Sequence, residues 1–404
     1  MNQPETFREN GGPLRGLKVL DLTRVLSGPF ATMWMATMGA DVLKVENPND
    51  PDITRTYPPF IDGKSAYFPS INHNKKAVTL NLKTEKGKEI LLELIKDADV
   101  IIENFRPGVM EKLGLGYEKL RDVNKQLIYA SISGYGTYGP YSERPGYDVT
   151  AQAVSGIMAL TGQPDDPPTR VGSSIGDTCA GINTVLAILA ALYGRSQTGE
   201  GQMVEISLVD SLISLSLQDY IRYFANGEIP PRLGNKYGTW TPYGTYKAKD
   251  NYFNIGCGQD KQFNKLAVLI GHPELITDPR YSSMPKRVEN RDSLDEFINE
   301  WASRHTRKEC CDLMVEAGLP CGPVNNIADI THDEHIAEAR QMFPTLEQPD
   351  VGQIQMVTVP GRFHGTGLAK LTPAPSVGQN NSEVYHKLGF TDKEIENLHR
   401  DGVI

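Results

Sequence analysis

The first 46 residues confine this chain to few architectures, because they alternate a buried-type strand, a helix and a second strand. LKVLDL at 17–22 is a short, nearly continuous apolar run. TRVLSG follows as a loop, then FATMWMATMG as a helix closing at Gly39, with Pro29 suited to its first position. ADVLKVE is the next strand. A βαβ unit of this kind implies parallel strands joined by a right-handed crossover.

The alternation continues. AVTLNL (77–82), DVIIENF (99–105) and QLIYASISGYG (126–136) read as strands. EKGKEILLELIKDA puts Ile90, Leu91, Leu94 and Ile95 on one helical face. Asp177 to Gly194 reads as a helix, and 202–217 as a strand passing into a helix. Near Asn226 the texture changes to Gly, Pro, Tyr and Asn, followed by a helical region at about 260–317 and a last capped helix in TDKEIENLHRDGV. The expected fold is therefore α/β. A Rossmann-like parallel sheet forms a large domain (1–225, completed by 350–404), joined to a smaller α+β domain (226–330) with a linker at 331–349.

A length of 404 residues favours two domains over one core. With 39% hydrophobic and 23% charged residues the chain is globular in type. A net charge of -9 disfavours nucleic acid and anionic membrane surfaces as partners. MNQPETFREN shows no basic region followed by an apolar stretch, and Val185–Leu192 is short against the roughly 20 residues needed to cross a bilayer. Five cysteines without a CxxC pair read as free thiols in a reducing cytoplasm.

Three motifs invite chemistry. Glu46, at the end of the second strand, stands where a nicotinamide fold places its acidic residue, but the preceding turn lacks the GxGxxG glycines. His332 and His335 in THDEH have no further ligand cluster nearby, and a solvated helix face accounts for them, so no metal is expected. Cys179 reads as a small core residue. Asp177, in VGSSIGDTCAG, stands at a helix start. Aspartate there is ordinarily a cap. The same geometry would keep the carboxylate ionised and able to attack an activated acyl group, with Gly176 leaving room for a substrate.

At these residues the sequence resembles the family III CoA-transferases. The likeness runs through GLKVLDLTRVLSGPFAT, GADVLKVENP, NHNKKAVTLNLKTEKGKE, DVIIENFRPGVMEKLG, IYASISGYGTYGP, GYDVTAQAVSG, GDTCAG and GLPCGPVN, in order. The resemblance implies an interlaced ring dimer, coenzyme A thioesters as substrates with no tightly bound cofactor, and Asp177 as the nucleophile. It implies CoA contacts at Leu26, Ser27, Asn47, Leu80, Asn81, Leu82, Lys83, Asn104, Phe105, Arg106, Lys112, Gly146, Tyr147 and Asp148. Gly238, Thr239 and Trp240 would form a mobile substrate loop. The N–H groups of that loop, or those at 178–180, would stabilise the oxyanion.

Departures from the formyl-CoA:oxalate pattern are Leu26 for Gln, Asn47 and Lys112 for Arg, and Tyr237–Trp240 for a glycine run. They bring the chain nearer to acyl-CoA:oxalate and succinate–hydroxymethylglutarate transferases. The expected acceptor is a dicarboxylate with a methylene spacer, its far carboxylate met by Arg144 or Arg232. α-Methylacyl-CoA racemases share the fold, but the histidine of their proton chemistry is replaced by Tyr147, a weak base at neutral pH. A non-catalytic CoA-binding protein is the remaining reading, and an intact Asp177 opposes it.

Overall fold

A computed structural model describes residues 6–404. The reading of the N-terminus as free of a leader rests partly on residues 1–5, which lie outside the described ones. The chain divides into two compact units. The first comprises residues up to Ile157, Arg170–Ile221 and Glu334–Ile404; the second comprises Met158–Thr169 and Arg222–Asp333. Residues 158–169, read from sequence as part of the large domain, thus fall in the second unit. The Gly162 carbonyl accepts the Gly234 N–H there at 3.0 Å. Residues 334–349, read as linker, fall in the first.

The first unit is built on six parallel strands: β1 (Lys18–Asp21), β2 (Asp41–Glu46), β3 (Lys76–Thr79), β4 (Val100–Glu103), β5 (Ile128–Ser133) and β6 (Met203–Ser207). Their order in the sheet is β3-β2-β1-β4-β5-β6. Every residue of β4 and β5 is buried, as expected of parallel strands covered on both faces. Alternate residues serve different cores. Val19, Val100, Ile102 and Ile128 join one cluster, while Leu20, Ile101 and Tyr129 join the other. Tyr385, Ile395 and Leu398, from the last two helices, fill the second cluster.

Helix α1 (Ser27–Thr37) starts two residues earlier than the sequence suggested, so Pro29 is its third residue and not its first. The position still suits proline, because N–H groups of a first turn have no partner within the helix. After α2 (Tyr67–Asn72), α3 (Glu85–Lys96) is capped by Thr84, whose hydroxyl accepts the Gly87 N–H at 3.0 Å. Helix α4 (Asp148–Val154) precedes α5 (Ile175–Thr198), which ends at left-handed Gly199. The apolar stretch expected to be short is in fact the middle of this 24-residue helix, which by length and composition alone could cross a bilayer. One face of it lies in the core, with Ala180, Val185 and Ile188 buried beside Leu212 of α6 (Leu208–Leu215).

In the second unit β7 (Tyr243–Lys247), β8 (Tyr252–Gly256) and β9 (Cys321–Pro323) form an antiparallel sheet. Phe253, Ile255, Phe263, Ile298, Trp301 and Met314 make its core. The loop expected to be mobile is braced within this unit. Arg291, opening α7 (Arg291–Ala302), donates to the Tyr237 carbonyl and, at 3.1 Å, to the Trp240 carbonyl. The rings of Tyr237, Trp240 and Tyr243 pack with centroids 5.2–5.7 Å apart.

Candidate active site

The strand order reverses between β1 and β4, and crevices at the carboxyl ends of strands at such a point are where open parallel sheets bind ligands. The loop after β1 is strained there, with β-branched Val25 at φ +69°. Its neighbours hold it in place. The Asn104 carboxamide accepts the Arg24 N–H at 2.8 Å and donates to the Arg24 carbonyl at 2.7 Å. Lys44 donates to the Thr23 carbonyl at 2.8 Å, and the Val25 N–H reaches Asp52 at 3.3 Å. Asn104, expected as a CoA contact, thereby joins the loops after β1 and β4.

Two cavities open at this edge. One, of about 220 Å³, is lined by Leu26, Ser27, Asn104, Phe105, Arg106, Gly146, Tyr147 and Asp177, together with Arg144. The other, of about 230 Å³, is lined by Asn47, Leu80, Leu82, Lys83 and again Phe105. Residues dispersed over the sequence are thus collected into adjoining spaces that share Phe105. Three expected residues line neither. Asn81 accepts the Lys83 N–H and donates to the Gly402 carbonyl; Lys112 is exposed; Asp148 faces the start of α5. Gly238, Thr239 and Trp240 belong to the second unit.

Close backbone approaches fix the first cavity. A Cβ on Gly181 would lie 2.8 Å from both the Ser27 carbonyl and the Phe30 ring, so α5 meets α1 where only glycine fits. A Cβ on Gly134 or Gly146 would lie within 2.6 Å of the other's Cα, which brings the Gly146–Tyr147 segment against the end of β5. Asp177, the third residue of α5, is thereby half-buried beside Ser27.

Its ionisation differs from the sequence expectation. The helix start does not hold the carboxyl low. Burial, and next the charge of Asp148, push it up to about 7, against an opposing hydrogen bond from Ser27. The proposed N–H donors at 178–180 also change standing. Thr178 N–H donates to the Ser174 carbonyl at 3.1 Å, and the following residues continue the helix.

Of the two arginines proposed for a far carboxylate, Arg232 is committed to the carbonyls of Gln163, Pro164 and Asp166. Arg144 lines the cavity with Asp177 and lies over the Tyr141 ring at 3.7 Å, pairing with no carboxylate among the described residues. Glu46, the candidate ribose ligand of a nicotinamide site, is taken up by Arg55 at 2.6 Å and the Asp52 N–H at 3.0 Å.

Sequence reasoning missed two residues. Tyr67, the first residue of α2, has its phenol pushed up by burial and then by the charge of Asp177, which places it near the carboxylate. Glu103 accepts the Phe105 N–H at 2.8 Å, and burial pushes it up to about 7. Neither carries a local signal, since Tyr67 precedes an ordinary short helix and Glu103 simply ends a strand.

A half-buried carboxylate thus shares a cavity at the switch point of a parallel sheet with Arg144, an arginine that pairs with no carboxylate among the described residues. The comparisons specify the class. The family description "CoA-transferase family III" matches residues 14–381, and the chain belongs to that family. It is 42% identical over 333 residues to an acetyl-CoA:oxalate CoA-transferase of Acetobacter aceti, covering 82% of this chain and 85% of the relative. It is 35% identical over 404 residues to the human succinyl-CoA:glutarate CoA-transferase, covering 100% and 92%. Among solved structures, a CAIB/BAIF family protein from Brucella suis superposes with a TM-score of 0.83 at 38% identity, covering 94% of this chain and 100% of that one.

Proposed function

We propose that this enzyme moves CoA from succinyl-CoA or a similar donor to a small dicarboxylic acid, through a covalent intermediate on Asp177. The observation that carries this reading is the cavity that half-buried Asp177 shares with Arg144, which pairs with no carboxylate among the described residues. A carboxylate oxygen of Asp177 attacks the donor thioester carbonyl, the C–S bond breaks, and CoA leaves as thiolate from a mixed anhydride. The thiolate then attacks the aspartyl carbonyl, releasing the donor acid and leaving CoA on Asp177. The acceptor carboxylate displaces the thiolate, which attacks the new acyl group and frees Asp177. Each step exchanges one activated acyl group for another, so neither ATP nor a metal is required by the balance.

The thioester end of CoA is assigned to the cavity of Asp177, and the nucleotide end to the cavity of Asn47, Leu80, Leu82 and Lys83. Leu26 gives the first cavity an apolar wall suited to methylene carbons, and relatives acting on glutarate and on oxalate support a dicarboxylate. Kinetics with a matrix of acids, read by mass spectrometry of the acyl-CoA products, test this. Succinate or glutarate should exceed oxalate in kcat/KM, and Arg144→Met should raise KM for dicarboxylates more than for monocarboxylates. Oxalate better by tenfold, about 1.4 kcal/mol, overturns the pocket argument.

A homodimer in the cytoplasm completes the proposal. The outward face of α5 carries Ile182, Leu186 and Tyr193 at 43%, 65% and 72% exposure, an apolar stripe that a second copy of an interlaced dimer would cover. The five unbridged cysteines fit a reducing compartment. Light scattering at nanomolar concentration should still return the dimer mass, and a freely dissociating monomer would refute the interlaced arrangement.

A further inference from the structure

Helix α5 needs a cap that its own sequence does not supply, since Ser174 at the N-cap makes no side-chain hydrogen bond to it. The cap comes from another helix. Asp148 Oδ1 accepts the Gly176 N–H at 2.7 Å, across 28 residues of sequence. Its Oδ2 accepts from Gln152 Nε2 at 2.8 Å, and Gln152, buried, accepts the Val171 N–H at 2.8 Å through its other side-chain atom. A Cβ on Gly176 would meet Asp148 Oδ1 at 3.0 Å, so the cap fits closely because the helix has glycine there. Asp177 is the next residue. Two carboxylates therefore share one helix N-terminus, which carries about half a positive charge.

We propose that Asp148 is a positioning residue for the nucleophile: an outside cap that fixes the first turn of α5 and sets a second carboxylate beside Asp177. The inference rests on Asp177 being the nucleophile. The groups around Asp177 are Ser27 of α1, Tyr67 of α2 and Asp148 of α4, with Tyr147, Arg106 and Arg144 lining the same cavity. Cys179, on its own helix, donates instead to the Ser211 carbonyl. Asp148 is the acidic neighbour whose charge raises Asp177, second only to burial. The functional consequence is a more basic, and so more nucleophilic, carboxylate that still ionises near neutral pH.

The test uses the full chain with Asp148→Asn, which keeps an oxygen for the Gly176 N–H, and Asp148→Glu, which keeps the charge. Two profiles are recorded from pH 5 to 9: kcat/KM for CoA transfer, and carbodiimide-driven amide coupling at Asp177 read by peptide mass spectrometry, which needs no turnover. Carbodiimide activation consumes the protonated acid, so coupling falls with rising pH while kcat/KM rises; removing a like charge lowers the neighbour's pKa, so both limbs should move down by about one pH unit in D148N and stay near wild type in D148E. Limbs that do not move in D148N overturn the inference. If D148N does not fold, D148S, a short uncharged cap, carries the same comparison, and loss of fold in both would reduce Asp148 to a structural cap and overturn the tuning role. An active Asp177→Asn enzyme would sink the nucleophile assignment alone, because the coupling profile reads Asp177 independently of catalysis.

Discussion

Asp177→Asn should leave a folded protein whose CoA transfer is reduced by about 10⁴-fold or more, roughly 5.5 kcal/mol of transition-state stabilisation. The amide has the carboxylate's shape but cannot form the anhydride, so the aspartyl-CoA adduct should also vanish from intact-mass spectra of protein mixed with acyl-CoA. Stability should not fall with activity. Asp177 has its folded-state pKa raised to about 7, so the folded protein binds the extra proton between the ordinary carboxyl range and that value. Its stability contribution therefore declines as pH rises through that window. Removing the carboxylate removes this decline, and thermal unfolding at pH 8 should show a midpoint no lower than wild type. Near-normal turnover, or an adduct that survives, would refute the assignment.

Lys75→Met should carry the largest stability cost, about 3–5 kcal/mol, because it strips the partner from a fully buried carboxylate. Lys75 Nζ lies 3.0 Å from Asp21 Oδ2, and both side chains are inaccessible to solvent. The same ammonium donates to Asn72 Oδ1 at 2.8 Å and to the Pro29 carbonyl at 3.0 Å. Asp21 also accepts from the Thr23 N–H and from the hydroxyls of Thr23 and Thr32. Burial pushes Asp21 up, but Lys75, Lys44 and these donors together hold it below the usual carboxylate range. Its folded pKa is thus depressed, so its contribution is complete above the unfolded value near 4 and is lost as pH falls below it. In the variant that acid limb should move to higher pH. Urea unfolding at pH 7 measures the loss, and a change below 1 kcal/mol would show that the pair is dispensable. Because Lys75, just before β3, ties the end of β1 to the Pro29 carbonyl in the first turn of α1, the variant should also raise KM for acyl-CoA.

Much of the first unit was legible locally. The strands could be read because parallel strands covered on both faces leave continuous apolar runs, as in VIIE of β4. The α3 face was legible because its cap, Thr84, and its apolar residues repeat within three or four positions. The closing helix was legible for the same reason, with the Thr391–Glu394 capping box at its start. The start of α1 was misread by two residues because proline tolerates any place in a first turn. The affiliation of 158–169 was not legible, because it depends on Arg232 and Gly234, far along the chain.

The sequence by itself determined the strands, most helices, the carboxylate proposed to react and, through ordered motifs, the family. These depend on periodicity and on residue types at short spacing. The tertiary structure alone decided what each polar group is free to do. Arg232 is committed to carbonyls while Arg144 is left to the cavity; Asn104 ties two loops; Arg291 braces the aromatic loop; and Asp148 takes the helix end that Asp177 was expected to hold. The physical reason is range. Backbone conformation follows from neighbours in sequence, whereas desolvation, like-charge repulsion and hydrogen-bond competition follow from neighbours in space. Asp148 and Asp177 are separated along the chain yet meet at one helix terminus, and that meeting adds to burial in raising the pKa of Asp177.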